Sequence, residues 1–224
     1  MGIYVIFIVI ALVSYLVQSS LKNKFERYSQ MPIAMTGKEV AEKMLHDNGI
    51  YDVRVISTPG MLTDHFNPTD KTVNLSEGVY SSNSVAAAAV AAHECGHAVQ
   101  HATKYGALQL RSSLVPIVSF ASQWILWVLL AGILLIEVMP QIMLAGIILF
   151  AMTTLFSIVT LPVEINASHR ALVWLDRSGI ATGRNNECAK DALKSAAYTY
   201  VVAALGSLAT LMYYVMIFMG RRRD

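Results

Sequence analysis

The stretch SVAAAAVAAHECGHAVQH (residues 84–101) places three histidines, a glutamate and a cysteine in a run of alanine and valine. Residues 93–97, HECGH, fit the pattern H-E-x-x-H. On a helix, two histidines four residues apart lie about 40° from a common line, so both imidazoles can reach one ion. Imidazole nitrogen suits zinc, and two such ligands leave positions for a third ligand and a water molecule. The stretch therefore predicts a zinc site on a helix.

The other motif positions have consistent roles on the same helical wheel. Glu94 lies about 100° from His93, close enough to act as general base on a water whose pKa the zinc lowers. Cys95 points about 200° away and is predicted to pack as a small hydrophobic residue. Gly96 has no side chain and allows another backbone to approach closely. The alternative is a metal-free buried helix, but burying a glutamate and two histidines is unfavourable unless they are paired or bind an ion.

A catalytic zinc needs a third protein ligand, and Glu164 is the best candidate. It is the only carboxylate between Glu137 and Asp176, and the small residues NAS that follow it permit close helix packing. We predict that it opens a helix, so a favourable charge at a helix N-terminus is the alternative role. Asp176 is a weaker candidate ligand. His101 is expected behind the ligands or at the surface, because three ligands already complete the site.

The composition is that of a membrane protein. Hydrophobic residues make up 55% of the chain, charged residues only 14%, and the mean hydropathy is +0.50. Four apolar segments approach or exceed the length of about 20 residues that spans a bilayer: 2–17, 114–136, 142–161 and 197–219. The net charge of +2 and the lack of a basic, aromatic-interleaved patch predict no nucleic-acid partner.

The polar region 22–111 has the pattern of a folded domain. TGKEVAEKMLHDNG (36–49) predicts an amphipathic helix, with a capping box between Thr36 and Glu39 and a stop at Gly49. Strands are predicted at YDVRVIS (51–57) and KTVNLSE (71–77), with the turn-rich segment TPGMLTDHFNPTD (58–70) between them. The second strand either presents an edge to an extended peptide or pairs on both sides.

Two further helix boundaries follow from the pattern of glycines. The H-E-x-x-H helix is predicted to run to about Lys104 and to end at Gly106. In the second polar region, a separate helix is predicted to begin at Val163 and to stop at Gly179.

The predicted fold is mostly α: a polytopic membrane protein with about four transmembrane helices and a small α+β metallopeptidase domain at the membrane surface. The predicted parts are an N-terminal anchor (1–20), an α+β domain with the H-E-x-x-H helix (21–112), a transmembrane hairpin (113–162), the third-ligand region (163–196) and a C-terminal transmembrane helix (197–220).

Basic residues predict the orientation in the cell membrane. An even number of spans separates the two polar regions, which therefore share one side of the membrane. That side carries 14 of the 17 lysines and arginines, so the positive-inside rule makes it cytoplasmic. Arg221, Arg222 and Arg223 argue the other way, because four spans place them on the opposite side.

KTVNLSEGVY (71–80), the opening stretch and LPVEINASHRAL (161–172) together resemble the YugP-like family of neutral zinc metallopeptidases. These are bacterial integral-membrane proteins distantly similar to the CAAX prenyl protease and heat-shock membrane protease group. The resemblance covers nearly the whole chain. It implies a gluzincin-like site with His93, His97 and Glu164 as ligands of one zinc ion and Glu94 as catalytic base.

The resemblance leaves two supporting roles open. In the wider group, the residue four positions after the ligand glutamate is usually an aspartate that orients a zinc histidine. Here that position is Ser168, so Ser168 or another residue must fill the role. The group also uses a histidine or a cationic side chain to stabilise the oxyanion, for which His65, His169 and Arg170 are candidates.

The predicted function is a zinc-dependent membrane endopeptidase. Both predicted halves of the site adjoin membrane spans, so the expected substrate is a membrane protein or a lipid-associated peptide cleaved near the membrane surface. An intramembrane protease, in which the H-E-x-x-H helix is itself a span, is one alternative. A non-catalytic, zinc-stabilised membrane scaffold or chaperone is another. The sequence carries no signal for the oligomeric state.

Overall fold

The computed structural model describes residues 2–220 and is mostly helical with one small sheet, as predicted. Met1 and the C-terminal residues 221–224, which include Arg221, Arg222 and Arg223, lie outside the described residues. The elements are α1 (Gly2–Ser29), α2 (Gly37–Asp47), β1 (Arg54–Thr58), β2 (His65–Asn67), β3 (Thr72–Ser76), α3 (Glu77–Tyr80), α4 (Val85–Ala102), α5 (Gly106–Leu134), α6 (Pro140–Arg177) and α7 (Gly183–Gly220).

Four helices within residues 2–220 are long and apolar enough to cross a membrane: α1, α5, α6 and α7. They contain the four predicted apolar segments except for residues 135–136, which lie in the turn after α5, and the segments are therefore confirmed as membrane-length helices. Each helix extends beyond its apolar segment into polar sequence. Helix α4, which carries the H-E-x-x-H motif, is not among the four.

The described residues form two compact units. The first, here called the apolar unit, contains 2–15, 109–161 and 199–220. Within it, α5 and α6 pack against each other on either side of a short turn, and Leu129, Met143 and Ile147 are buried between them and α7. The contact is close, because a Cβ atom on Gly132 would lie 2.7 Å from the Cα of Met143.

The second unit, here called the polar unit, contains 16–108 and 162–198. In its core, α2 packs against α4. The predicted capping box of α2 is confirmed: the Thr36 hydroxyl accepts the Glu39 N–H at 3.3 Å, and the Glu39 carboxylate accepts the Thr36 N–H at 2.7 Å. Gly49 follows the helix with φ +71°, the left-handed conformation that terminates a helix.

The predicted five-part division of the chain stays a prediction.

The sheet of the polar unit has the order β1–β3–β2. The central strand β3 pairs in parallel with β1 and antiparallel with β2, and all five of its residues are buried. Both predicted strands are present. The turn-rich segment 58–70 also contains β2, a strand that was not predicted, because three residues are too few to show an alternating pattern. Of the two alternatives for the second predicted strand, pairing on both sides is confirmed and a free edge is excluded; the edge strands are β1 and β2.

The end of α4 differs from the prediction. The helix begins after Ser84, whose hydroxyl accepts the Ala87 N–H at 3.2 Å, and ends at Ala102. Lys104 adopts the left-handed conformation (φ 51°) at which glycine is usual, while the Tyr105 N–H closes the last turn on the Gln100 carbonyl at 2.9 Å. Gly106, expected to end α4, is instead the first residue of α5.

No break separates the third apolar segment from the helix of Glu164, so the prediction of a new helix at that point is wrong. Helix α6 is continuous over 38 residues and contains Pro162 in its interior. Proline lacks an N–H and usually ends a helix, but it is tolerated in helices that extend through a membrane. Glu164 is therefore in a helix interior, which removes the helix N-terminus as an explanation for its charge. The stop at Gly179 is confirmed, with φ +75°.

Candidate metal centre

Two helices of the polar unit bring three potential metal ligands together. His93 and His97 lie one turn apart in α4, with ring centroids 4.8 Å apart and ring planes at 86°. The Glu164 Oε2 atom of α6 lies 3.3 Å from His93 Nε2 and 3.6 Å from His97 Nε2. The three donor atoms all lie within 4.8 Å of one another. The structure therefore assembles the three residues that the sequence singled out as ligands.

Small residues allow α4 and α6 to approach closely enough for this. A Cβ atom on Gly96 would lie 2.6 Å from the Ala167 carbonyl oxygen, so the two backbones are in direct contact at this point. Ala167 and Ala171 are fully buried in the same contact face of α6. The predicted close approach at Gly96 is confirmed. Because Gly96 immediately precedes His97, the contact that it permits also determines how near Glu164 comes to the imidazoles.

The centre is largely removed from solvent. The side chains of His93 and His97 are 14% and 12% exposed, and that of Glu164 is 5% exposed. Glu94 is also buried. Burial acts to lower the pKa of His97, but the carboxylates of Glu164 and Glu94 outweigh it and hold that pKa above its ordinary value. Two buried carboxylates beside two imidazoles thus form an electronegative site that favours a bound cation.

The arrangement fits a zinc ion. Tetrahedral zinc with nitrogen and oxygen ligands at about 2.0–2.1 Å has those ligands about 3.3 Å from one another. The two observed separations between Glu164 Oε2 and the imidazole nitrogens, 3.3 and 3.6 Å, are close to that value. Two neutral imidazoles and one carboxylate are also a ligand set that catalytic zinc uses, with a fourth position left for a water molecule.

Each histidine contacts a polar side chain through its second ring nitrogen. His93 Nδ1 lies 3.1 Å from the Ser168 hydroxyl, and His97 Nδ1 lies 3.0 Å from Gln100 Oε1. Ser168 therefore contacts a histidine of the centre from the position at which the family resemblance led us to expect an aspartate. Gln100 was not predicted as part of the site. Its signal was an uncharged polar residue three positions after His97, on the same face of an otherwise apolar helix.

Cys95 is not part of the centre. Its side chain is fully buried on the opposite side of α4, and its thiol donates to the Ala41 carbonyl of α2 at 3.5 Å. Burial raises the pKa of this thiol well above its usual value, so the neutral form is maintained. The prediction that Cys95 packs as a small core residue is confirmed.

The remaining candidate side chains lie outside the three-residue cluster. His65, His101 and Asp176 are exposed. His169 and Arg170 line an open cleft of about 540 Å³ whose lining includes none of the three ligands. The suggested roles of His65, His169 and Arg170 in oxyanion stabilisation, and of His101 behind the ligands, stay predictions.

A largely buried cluster of two histidines and a carboxylate, in a chain with four membrane-length apolar helices, defines a membrane protein with a candidate metal centre. The chain belongs to the family described as "putative neutral zinc metallopeptidase", whose model matches residues 3–219. It is 43% identical over 213 residues to the "Putative membrane protease YugP" of Bacillus subtilis (strain 168), covering 94% of each chain. No solved structure matches it. The family inferred from the motifs is thereby confirmed, and it implies zinc.

The helix contact at Gly96 generates a prediction. Gly96→Ala places a methyl group against the Ala167 carbonyl, and overpacking of this kind destabilises a protein by about 1–3 kcal/mol. We expect a lower Tm and weaker zinc binding, because α4 and α6 must move apart and both carry ligands. Gly78→Ala is the matched control, since a Cβ there meets nothing within 4 Å. Thermal unfolding and chelator competition in detergent measure both effects. A Gly96→Ala protein that behaves like Gly78→Ala would contradict this account of the contact.

Proposed function

We propose that this chain is a zinc-dependent, membrane-bound endopeptidase whose centre holds one zinc ion through His93, His97 and Glu164. The observation that carries the proposal is the convergence of the Glu164 carboxylate on both Nε2 atoms, at 3.3 and 3.6 Å, beside the buried Glu94. Membership of a family described as zinc metallopeptidases supports both the metal and the reaction class.

Glu94 is proposed as the catalytic base. Zinc, when bound, supplies a Lewis acid that polarises the peptide carbonyl and makes water more acidic. The Glu94 carboxylate accepts a proton from the attacking water and returns it to the leaving amine. Its place supports this role: it adjoins His93 in sequence, it is buried, and its charge contributes to the raised pKa of His97. A purely structural zinc site has no use for a free carboxylate beside an open position.

The proposed substrates are membrane proteins or lipid-associated peptides, cleaved near the membrane surface. Chain connectivity supports this choice. Glu164 lies three residues after Leu161, where the apolar segment of α6 ends. His97 lies nine residues before Gly106, the first residue of α5. Glu164 therefore lies in a membrane-length helix just beyond its apolar segment, and the chain after His97 enters another membrane-length helix, α5, nine residues later.

The proposed location is the cell membrane, with the catalytic face in the cytoplasm and the chain divided at the boundaries predicted from the sequence. The distribution of lysine and arginine supports this orientation, since 14 of 17 fall in the polar regions. An intramembrane protease is not favoured, because α4 is not among the four membrane-length apolar helices of residues 2–220.

The roles of the acids generate a prediction. Glu94→Gln is expected to retain zinc at the wild-type level and to lose at least about 100-fold in peptide hydrolysis, because a general base contributes that much or more. Glu164→Ala is expected to lose both zinc and hydrolysis. Zinc content and cleavage of a reconstituted membrane-protein substrate and of soluble casein measure the two properties.

Glu77→Gln is the matched control, because Glu77 is an exposed acid outside the centre, and it should keep both properties. Glu94→Gln that hydrolyses peptides at the wild-type rate would exclude the proposed base. Zinc-loaded wild type that cleaves neither substrate would favour the scaffold function instead. Cleavage of casein as readily as of the membrane substrate would count against the proposed substrate class.

The orientation is tested with single cysteines in a Cys95→Ala, Cys188→Ser background. Met61 of the polar unit is 86% exposed, and Val138, between α5 and α6, is 79% exposed. We expect Val138→Cys to react with a membrane-impermeant maleimide in intact spheroplasts, and Met61→Cys to react only after permeabilisation, because the proposed topology places them on opposite sides. The reverse pattern would place the catalytic face outside the cell.

A further inference from the structure

Gln100 has a fully buried side chain whose amide oxygen and amide nitrogen both have polar partners. It lies in α4 three residues after His97 and has 0% of its surface exposed. Its Oε1 atom is 3.0 Å from His97 Nδ1. Its Nε2 atom donates to the Val163 carbonyl at 2.8 Å and to Asn166 Oδ1 at 3.0 Å. Such a group is unfavourable in an apolar interior unless it is hydrogen-bonded, and here each N–H has its own acceptor.

The partners of Gln100 fix the direction of every hydrogen bond. The Val163 carbonyl only accepts, so the amide nitrogen must face it and Oε1 must face His97. An amide oxygen also only accepts, so the proton of the neutral His97 ring must be on Nδ1. The lone pair is then on Nε2, the nitrogen that lies 3.6 Å from Glu164 Oε2.

The Arg170 side chain, which can only donate hydrogen bonds, fixes the orientation of the Asn166 amide. Arg170 Nε donates to Asn166 Oδ1 at 2.8 Å, and a guanidinium group has no acceptor. Asn166 therefore presents its oxygen, which also accepts from Gln100. Hydrogen bonds thus connect Arg170 to His97 through Asn166 and Gln100. Because Arg170 can only donate and the Val163 carbonyl can only accept, only one set of donor and acceptor directions satisfies all of these bonds.

We propose that Gln100 is a positioning residue that holds His97 as the tautomer with a free Nε2 directed at the metal, and that Asn166 and Arg170 hold Gln100. The inference rests on the proposed function, because it assigns His97 as a zinc ligand. It distinguishes the two histidines: the Ser168 hydroxyl beside His93 Nδ1 donates or accepts, so it imposes no tautomer.

The first test is the zinc dissociation constant, measured by chelator competition on the purified protein in detergent. Gln100→Met keeps a similar volume and removes the acceptor, and it is expected to weaken zinc binding about 10–100-fold, the range for groups that orient metal ligands. Gln109→Met is the matched control, because Gln109 is exposed and outside the centre, and it should bind zinc as tightly as wild type. Gln100→Met that binds zinc as tightly as wild type and Gln109→Met would overturn the proposal.

The second test needs no metal. In metal-free protein labelled with ¹⁵N-histidine, at a pH where the rings are neutral, His97 should show a protonated Nδ1 in wild type and a mixture of tautomers in Gln100→Met. His97→Gln assigns the signal. A merely structural role of Gln100 would leave the tautomer unchanged and would overturn the proposal. This measurement is informative even when wild type binds no zinc, in which case the proposed function fails independently.

Asn166→Ala covers the case in which Gln100→Met does not fold. Asn166 is only half-buried, and its loss leaves the Val163 contact in place. We expect a decrease in zinc affinity smaller than that of Gln100→Met, with a partly mixed His97 tautomer. Wild-type affinity together with an unchanged tautomer would exclude the chain of hydrogen bonds. Arg170 itself is less suitable for substitution, because it is also a candidate for oxyanion stabilisation.

Discussion

The centre depends on one constraint: a buried carboxylate must face two largely buried imidazoles, because none of the three groups is favourable alone in an apolar interior. The four-residue spacing in α4 aligns the imidazoles, and the glycine between them lets the backbone of α6 approach. The alanine-rich face of α4 and the packing of α2 behind it keep α4 in place. The alanine run, Gly96 and Cys95 thus help to hold the imidazoles of α4 in place.

Features that depend on local sequence could be predicted. The H-E-x-x-H spacing, the capping box at Thr36 and the apolar segments each follow from residues close together in the chain. The continuity of α6 through Pro162 could not, because proline ordinarily ends a helix and is retained here within a membrane-length one. The strand β2 was missed for a related reason: three residues carry no periodicity, and their pairing with β3 defines them as a strand.

The residues of the candidate site, too, could be predicted only in part from the sequence. Glu164 could be predicted as a ligand because carboxylates are scarce in that part of the chain and a family resemblance supported it. Gln100 could not, because its partners Val163 and Asn166 are 63 and 66 residues away and only the packing of α4 on α6 brings them together. Four residues after Glu164, where the family resemblance implied an aspartate, the chain has Ser168, which contacts His93. The side-chain amide of Gln100 contacts His97. A side chain of α6 thus contacts one histidine, and a side chain of α4 contacts the other.

X-ray absorption at the zinc edge tests most directly whether one ion is held by two imidazoles of α4 and a carboxylate of α6. For zinc-loaded protein at one equivalent, the account predicts nitrogen and oxygen ligands only, at about 2.0–2.1 Å, with the outer-shell scattering of two imidazoles. Replacing His97 by alanine should remove one imidazole. A sulfur ligand at about 2.3 Å, or a spectrum unchanged by that replacement, would contradict it.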